Sequence, residues 1–548
     1  MNKTAPSLSP EFTKLLSKYV EDFIVRVTSG STSQVPIAMD PAFSLACKDM
    51  NIWFKTSFGH GNLAEIPWLA CFAPGQSAQL EGVYPVLLFQ RSNNTASVNF
   101  GVSATAMEAT GAWPREWPNN LVDGLPQFAL KKKKQYKQSF VAKEFVSPTP
   151  AQVGDIVSVL SRVIAEFIEL KEALANRPKI DFSTLTEFAN GSSDAGLTFS
   201  GQVISRLISS LLTKRFCILT GLAGSGKTKL AESFAMWLCE SAEQYRIVAV
   251  GADWTSNENL LGYADALQTG QYRAPVNGAL ELLLRAQADK TNPYFLILDE
   301  MNLSHVERYF ADFLSAMESG NAPLSLHGVE VGLAIDGTTA LTVPARLKLP
   351  PNLFIIGTVN VDETTYMFSP KVLDRANVIE FRATADQMAA FLDNPTGINL
   401  QAIETQGVPF ATAFVARALA DADISALTDA AGNPLSPLLK TDLIAVFDAL
   451  VSIGAEFGFR SAKEIVRFMV IHKELSGPGW VYKDALDAQV LQKLMPKLHG
   501  SARKLDGVLK TLADFAAATN RDLPLTREKI ERMQARLLRD GFTSFAEA

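Results

Sequence analysis

Cysteine is scarce in this chain of 548 residues: Cys47, Cys71, Cys217 and Cys239 are all there is, with no C-x-x-C pair and no Cys/His cluster. That pattern excludes a disulfide framework and a structural zinc site, and it fits reduced, buried thiols in a cytoplasm. No apolar run reaches the about 18 residues of a membrane helix. The opening MNKTAPSLSPEF has no apolar core of a signal peptide, so neither secretion nor a membrane partner is expected. No repeat at the about 20–50-residue period of solenoids is visible. Charge is moderate, with 20% charged and 47% hydrophobic residues, which leaves little room for disorder. The net charge of −6 hides an asymmetry. Residues 1–148 carry 14 Lys/Arg against 11 Asp/Glu, and the remainder carries 37 against 46. A mildly basic amino-terminal part is compatible with nucleic acid.

What is present is dominated by one stretch, FCILTGLAGSGKTKL, from Phe216 to Leu230. An apolar run reads as a buried strand, then Gly221-Leu-Ala-Gly224-Ser225-Gly226-Lys227-Thr228 gives a complete G-x-x-x-x-G-K-T, and an amphipathic helix follows. Glycines let backbone N–H groups curl round phosphate oxygens, and the helix start adds partial positive charge. Lys227 is placed for the β- and γ-phosphates and Thr228 for Mg2+. Downstream, YFLIL (294–298) reads as a second strand ending in Asp299, a metal-holding carboxylate, and Glu300, which orients the attacking water. A third strand, LFIIGTV (353–359), ends in Asn360, beside where a γ-phosphate would lie. This constellation predicts a P-loop NTPase.

Around it, Pro10 to Val27 has helical spacing. From Ile52, short apolar runs rich in Trp, Phe and Tyr, parted by Gly, Pro and Asn, read as strands of an α+β domain. Lys131 to Lys134 with Tyr136 and Lys137 is either a solvated loop or a phosphate-contacting strip beside an aromatic. SPTP (147–150) marks a join, residues 156–175 a long helix, and Pro178 to Gly196 a second, flexible join. Leu324 to Val343 suggests a hairpin. Arg375, after the third strand, is placed for an arginine finger reaching a neighbouring subunit. Arg460, opening a later helix, is a candidate phosphate sensor or a capping residue. Residues 382–548 read as helix-rich. The division expected is 1–148, 149–200 as a helical linker, 201–385 as the α/β NTPase core, and 386–548 as a helical lid.

Two stretches resemble the same family in the same order. GLAGSGKT, LDEMNLSHVERYFADFLSAME and IIGTVN…VLDRANVIEF resemble the AAA+ motor of the McrB family, the NTPase subunits of modification-dependent McrBC restriction systems. SFGHGNLAEIPWLACF, EGVYPVLLF and KKQYKQSF resemble that family's DNA-binding domain. The resemblance implies a multidomain fold: an N-terminal α+β DNA-binding domain, a helical linker, and an α/β P-loop AAA+ domain with a C-terminal helical lid. It further implies double-stranded DNA carrying modified cytosine as ligand, and base flipping into a pocket at Trp68, Tyr84, Leu88 and Tyr136. His60 falls at the family's aromatic wedge, and Lys133 and Lys134 gain a phosphate-gripping role. GTP as substrate in preference to ATP, a ring with hexamer stoichiometry, and a separate McrC-like nuclease subunit follow by the same likeness. No P-D…(D/E)-x-K nuclease pattern occurs in this chain. Three departures stand out. His60 replaces a tyrosine, Asn360-Val361-Asp362-Glu363 replaces Asn-Thr-Ala-Asp, and Asp374-Arg375-Ala376 replaces an arginine-rich run. The competing reading is an ATP-driven AAA+ remodeller with a protein-binding amino-terminal domain.

Overall fold

The structure, a computed structural model, describes residues 8–59, 63–73, 83–102, 125–126, 139–175, 179–268, 270–319, 322–329, 332–335, 341–361, 368–393, 397–519 and 521–548. The chain divides into two compact units, Met1–Arg177 and Pro178–Ala548.

In the first unit, helix α1 (Pro10–Thr28) starts where Ser9 accepts a hydrogen bond from the Phe12 amide and Pro10 fixes the first turn. Its apolar stripe, including Phe12, Leu16, Val20, Phe23 and Val27, is buried. A short helix α2 (Pro41–Asp49) follows, capped by Asp40. Strands β1 (Trp53–Ser57), β2 (Trp68–Phe72), β3 (Val83–Gln90), β4 (Thr95–Val102) and β5 (Phe140–Val146) form an antiparallel meander in that order. Alternation sends Phe54, Leu69, Leu87, Val98 and Phe145 to one face, against α1 and helix α3 (Val153–Ala175). The opposite face gathers Phe72, Tyr84, Val86 and Leu88 with the half-buried Trp53 and Trp68. The 149–200 stretch expected as a linker is therefore divided. Ile156, Leu160, Ile164 and Phe167 of α3 are core of the first unit.

The rest of that stretch starts the second unit. Pro178 to Gly196, expected to be a flexible join, holds helix α4 (Phe182–Asp194). Asp181 caps it, accepting from the Ser183 amide at 2.9 Å. Phe188 anchors it, its ring 5.2 Å from Phe234 and 5.4 Å from Trp237. A polar composition hid a cap and one large apolar anchor. Helix α5 (Gly201–Thr213) leads into strand β6 (Phe216–Gly221), then helix α6 (Lys227–Leu238) and strand β7 (Tyr245–Ala249). With Tyr294–Asp299, Leu353–Asn360 and Asn377–Glu380 these strands make a five-stranded parallel sheet. Its order is Asn377–Glu380, β6, Leu353–Asn360, Tyr294–Asp299, β7. Both faces are covered, so its central strands read as near-continuous apolar runs. The expected hairpin within 324–343 exists as Leu333–Ile335 against Thr342–Val343. It also pairs in parallel with Gln271–Arg273, joining a small four-stranded sheet.

Beyond residue 400 the described elements are mostly helices, among them Val408–Leu419, Ser436–Val451, Phe459–Ser476, Ala502–Ala517 and Pro524–Asp540. Phe410 and Phe414 pack on the α6 side of the sheet, and Ile465, Phe468 and Leu505 extend the core on its other side. Lys529 and Arg532 both pair with Glu380 at the end of its strand, fastening the last long helix to the sheet. No helix among the described residues is long and apolar enough to cross a membrane.

Candidate functional site

Three neighbouring parallel strands deliver their polar ends to one place, the usual geometry of an α/β nucleotide site. Asn360 lies in register with Gly221, and Leu298, just before Asp299, with Gly357. At Gly221 the chain turns at φ 157, and a β-carbon there would lie 2.2 Å from the Phe381 carbonyl oxygen, so no side chain fits. Gly224 and Gly226 have φ 72 and 97, and Gly226 caps α6 in the left-handed region that glycine tolerates. Amides of the loop and of the first α6 turn are thereby aimed where phosphate would bind. Lys227, 4% exposed, folds over the loop: its amine donates to the carbonyls of Gly221 (3.0 Å) and Leu222 (2.6 Å) and to Ser225 Oγ (3.4 Å).

The acidic pair is held by hydroxyls. Thr228 Oγ1 donates to Asp299 Oδ1 at 2.7 Å, and Thr358 Oγ1 donates to the same oxygen at 2.6 Å. The Thr358 hydroxyl also accepts from the Glu300 amide at 3.0 Å, so one side chain ties both acidic residues. Glu300 sits at φ 55, ψ 48, a left-handed conformation that costs a non-glycine residue about 1–3 kcal/mol. Its Oε1 accepts from Asn360 Nδ2 at 3.0 Å, while Asn302 Nδ2 donates to the Asn360 carbonyl at 3.1 Å. The run Asp299-Glu300-Met301-Asn302 thus wraps the end of the Asn360 strand.

Thr358 was not singled out by the sequence, where it is one polar residue inside an apolar run. Only the parallel register between two strands reveals it. Thr358→Val leaves the Glu300 amide and one Asp299 oxygen without this partner, and an unmade buried hydrogen bond costs about 1–3 kcal/mol. Steady-state hydrolysis by the variant is expected to fall about tenfold or more, with a smaller change in nucleotide affinity.

Thr228 and Asp299 present two oxygen donors 2.7 Å apart. That hard, sparse set fits Mg2+, which is usually held by one or two protein oxygens plus phosphate oxygens and water. When bound there, the ion neutralises charge on the β- and γ-phosphates.

Arg375 and Arg460 lie elsewhere. Arg375 lies two residues before Asn377–Glu380, which runs parallel to β6, so it sits at the amino-end rim of the sheet while the loop sits at the carboxyl-end rim. Its guanidinium pairs with Glu318 and donates to the Lys371 carbonyl at 2.5 Å. Burial, and then the neighbouring Arg460, lowers its pKa. Arg460 pairs with the same Glu318 at 3.0 Å. Arg460, the candidate phosphate sensor, is thus engaged in this structure at Glu318, alongside Arg375. Its helix, Phe459–Ser476, is pinned through Glu464 to the buried Lys214 and Lys493, at the point where the chain enters β6. Desolvation lowers the Lys214 pKa to about 8.

In the first unit, Trp68, Tyr84 and Leu88 do share one sheet face, with Trp68 and Leu88 directly paired across β2 and β3. Phe72 joins them, 5.0 Å from Tyr84 and 6.4 Å from Trp68 by ring centroids. His60, Lys131 to Lys134, Tyr136 and Lys137 lie outside the described residues.

Comparison with known proteins agrees with the motor. An AAA domain family matches residues 211–334, and a domain of unknown function, DUF8727, matches residues 416–542. The chain is similar to the type IV methyl-directed restriction enzyme EcoKMcrB subunit of Escherichia coli (strain K12). The two are 23% identical over 317 residues, 57% of this chain and 66% of that protein, just under two thirds of it. These similarities support a McrB-like AAA+ protein with a P-loop NTPase domain.

Proposed function

We propose that this chain is an NTP-hydrolysing, DNA-translocating motor joined to a reader of modified cytosine. It would act with a separate McrC-like nuclease subunit in a modification-dependent restriction system directed against phage. The observation that carries the motor half is the continuous network Thr228–Asp299–Thr358–Glu300–Asn360 at the mouth of a glycine loop. In this reading the loop amides and Lys227 grip the phosphates, and Thr228 and Asp299 hold the ion. Glu300, kept in place by Asn360, orients a water and draws off its proton as it attacks the γ-phosphorus. Arg375 from the next subunit of a ring, taken as a hexamer, stabilises the charge that develops. GTP is the preferred nucleotide by resemblance to the McrB family. The reader half rests on the aromatic face holding Trp68, Tyr84 and Leu88, a surface on which a flipped base can stack.

The test is a titration of the full chain, at fixed salt, with duplexes that differ only in carrying cytosine, 5-methylcytosine or 5-hydroxymethylcytosine. A preference of about tenfold or more for one modified duplex, lost in Trp68→Ala, is expected. Equal binding to all three defeats the base-reading claim. No DNA binding at all favours a motor that remodels protein.

A further inference from the structure

On the aromatic face of the first unit one polar side chain is out of keeping with its neighbours. Asn99 is fully buried in β4, whose register against β5 shifts between Val98 and Asn99, so that Asn99 comes opposite Val141. Bulges of this kind commonly re-aim a side chain beside a site. Asn99 also pairs with Val86, which pairs in turn with Ala70, so a row of modest side chains crosses the sheet. On one side of that row stand Trp68 and Leu88, and on the other Phe72 and Tyr84. The Tyr84 ring lies down over Gly101, where a β-carbon would meet Cε2 at 2.8 Å. The result is a buried strip of smaller side chains between aromatic ones, with Asn99 at its β4 edge.

The orientation of the Asn99 carboxamide is set by its donors. Nδ2 donates to the Ser97 carbonyl at 2.8 Å, to Ser97 Oγ at 3.0 Å and to the Val86 carbonyl at 3.5 Å. Two of these partners are carbonyls, which only accept, so the amide cannot be turned end for end without losing them. Oδ1 is left buried with no hydrogen-bond partner. A buried acceptor without a donor is costly, and on a face whose other buried polar side chain beside it, Ser97, is already bonded to Asn99, it marks a position that a ligand's donor completes.

We infer that Asn99 Oδ1 is the group that reads the flipped base, accepting a hydrogen bond from an exocyclic amine. The site thus selects a 4-amino pyrimidine over its 4-oxo counterpart. This rests on the base-pocket reading given above and names the group that discriminates within it. Leu88, Val86 and Ala70 have no polar side-chain atom to do so, the Asn99 donors are already engaged, and the Ser97 hydroxyl beside them is taken up as one of their acceptors.

The test uses the full chain and two duplexes carrying 5-methylcytosine or thymine at one central position. These bases share the 5-methyl group and differ along one edge, an amine at the 4-position with a bare N3 in one and a carbonyl with an N3–H in the other. Each is placed opposite an abasic site, so neither pays for a broken pair. The native chain is expected to bind the 5-methylcytosine duplex about tenfold or more tightly, the usual worth of a well-formed base-edge contact. Asn99→Ala should bring that ratio close to one, and Trp68→Ala should weaken both duplexes together. Equal binding of both duplexes by the native chain overturns the inference with no variant needed. A ratio that survives Asn99→Ala overturns it too, while loss of both duplexes in Trp68→Ala leaves the pocket itself standing. If Trp68→Ala changes neither affinity, the base-pocket reading falls first.

Discussion

Glu300→Gln is expected to bind nucleotide as the native chain does and to lose turnover by about 10²–10⁴-fold, the usual worth of a positioned general base. The substitution keeps the size of the side chain and an oxygen able to accept from Asn360 Nδ2, which now lies 3.0 Å from Oε1. It leaves the backbone kink at φ 55 in place, because the Thr358 hydroxyl takes the Glu300 amide rather than its side chain. On the proposed reading, phosphate and metal contacts belong to Lys227, Thr228 and Asp299, none of which is altered. The effect should therefore appear in kcat, with KM little changed. Hydrolysis by phosphate release, alongside binding of a fluorescent nucleotide analogue, separates the two. Retained turnover would show that another group activates the water, and Asn360 would then be the first to substitute. Asn360→Ala alone is the milder change, since it frees the carboxylate without removing it.

How much of this could be read from the sequence depended on whether a feature is local in the chain. The glycine loop, Lys227 and Thr228 follow one another without a break, and Asp299 and Glu300 end one apolar run, so their pattern survives without knowledge of packing. The parallel sheet was likewise implied by buried strands separated by helices. Thr358 was invisible because its partners, Asp299 and Glu300, reach it only through strand register. The setting of Arg460 could not be read for a similar reason. A helix start looks the same wherever the helix lies, and what fixes this one is Glu464 between Lys214 and Lys493, residues hundreds of positions apart or on another element. The supposed flexible join at 178–196 misled through composition, since its polar run NGSSDAG conceals a helix whose stability comes from Phe188. In the first unit, Trp68, Tyr84 and Leu88 were named by resemblance and the sheet does place them on one face. Asn99 needed the β4–β5 shift to be seen at all.

Arg375→Ala is expected to lower turnover by about 10³–10⁵-fold, the range an arginine finger contributes, without weakening nucleotide binding. The argument is geometric. Asn377, two residues after Arg375, enters its strand level with Cys217, and the four residue steps from there to Gly221, at about 3.3 Å each, put the loop roughly 13 Å further along the sheet. A side chain does not cover that distance, so Arg375 has no route to the phosphates of its own subunit. Its setting nonetheless fixes it closely. Lys493 donates to the carbonyls on either side of it, Asp374 at 2.9 Å and Ala376 at 3.1 Å, and Lys497 pairs with Asp374 at 2.5 Å. The side chain held this way is 11% exposed with its guanidinium on Glu318, at a rim where a head-to-tail ring would bring the next subunit's nucleotide, so it must leave Glu318 to reach that nucleotide. Mixing decides it. Glu300→Gln and Arg375→Ala chains are each nearly inactive alone. Combined in equal amounts they form interfaces that take Glu300 from one chain and Arg375 from the other, and a random ring recovers up to about one quarter of native turnover. If Arg375 acted within its own subunit, no mixture would contain an intact site and hydrolysis would stay at the level of the separate variants. Glu318→Ala, which releases both Arg375 and Arg460, serves as the control. It should keep hydrolysis near native, because Glu318 restrains the finger but touches no phosphate.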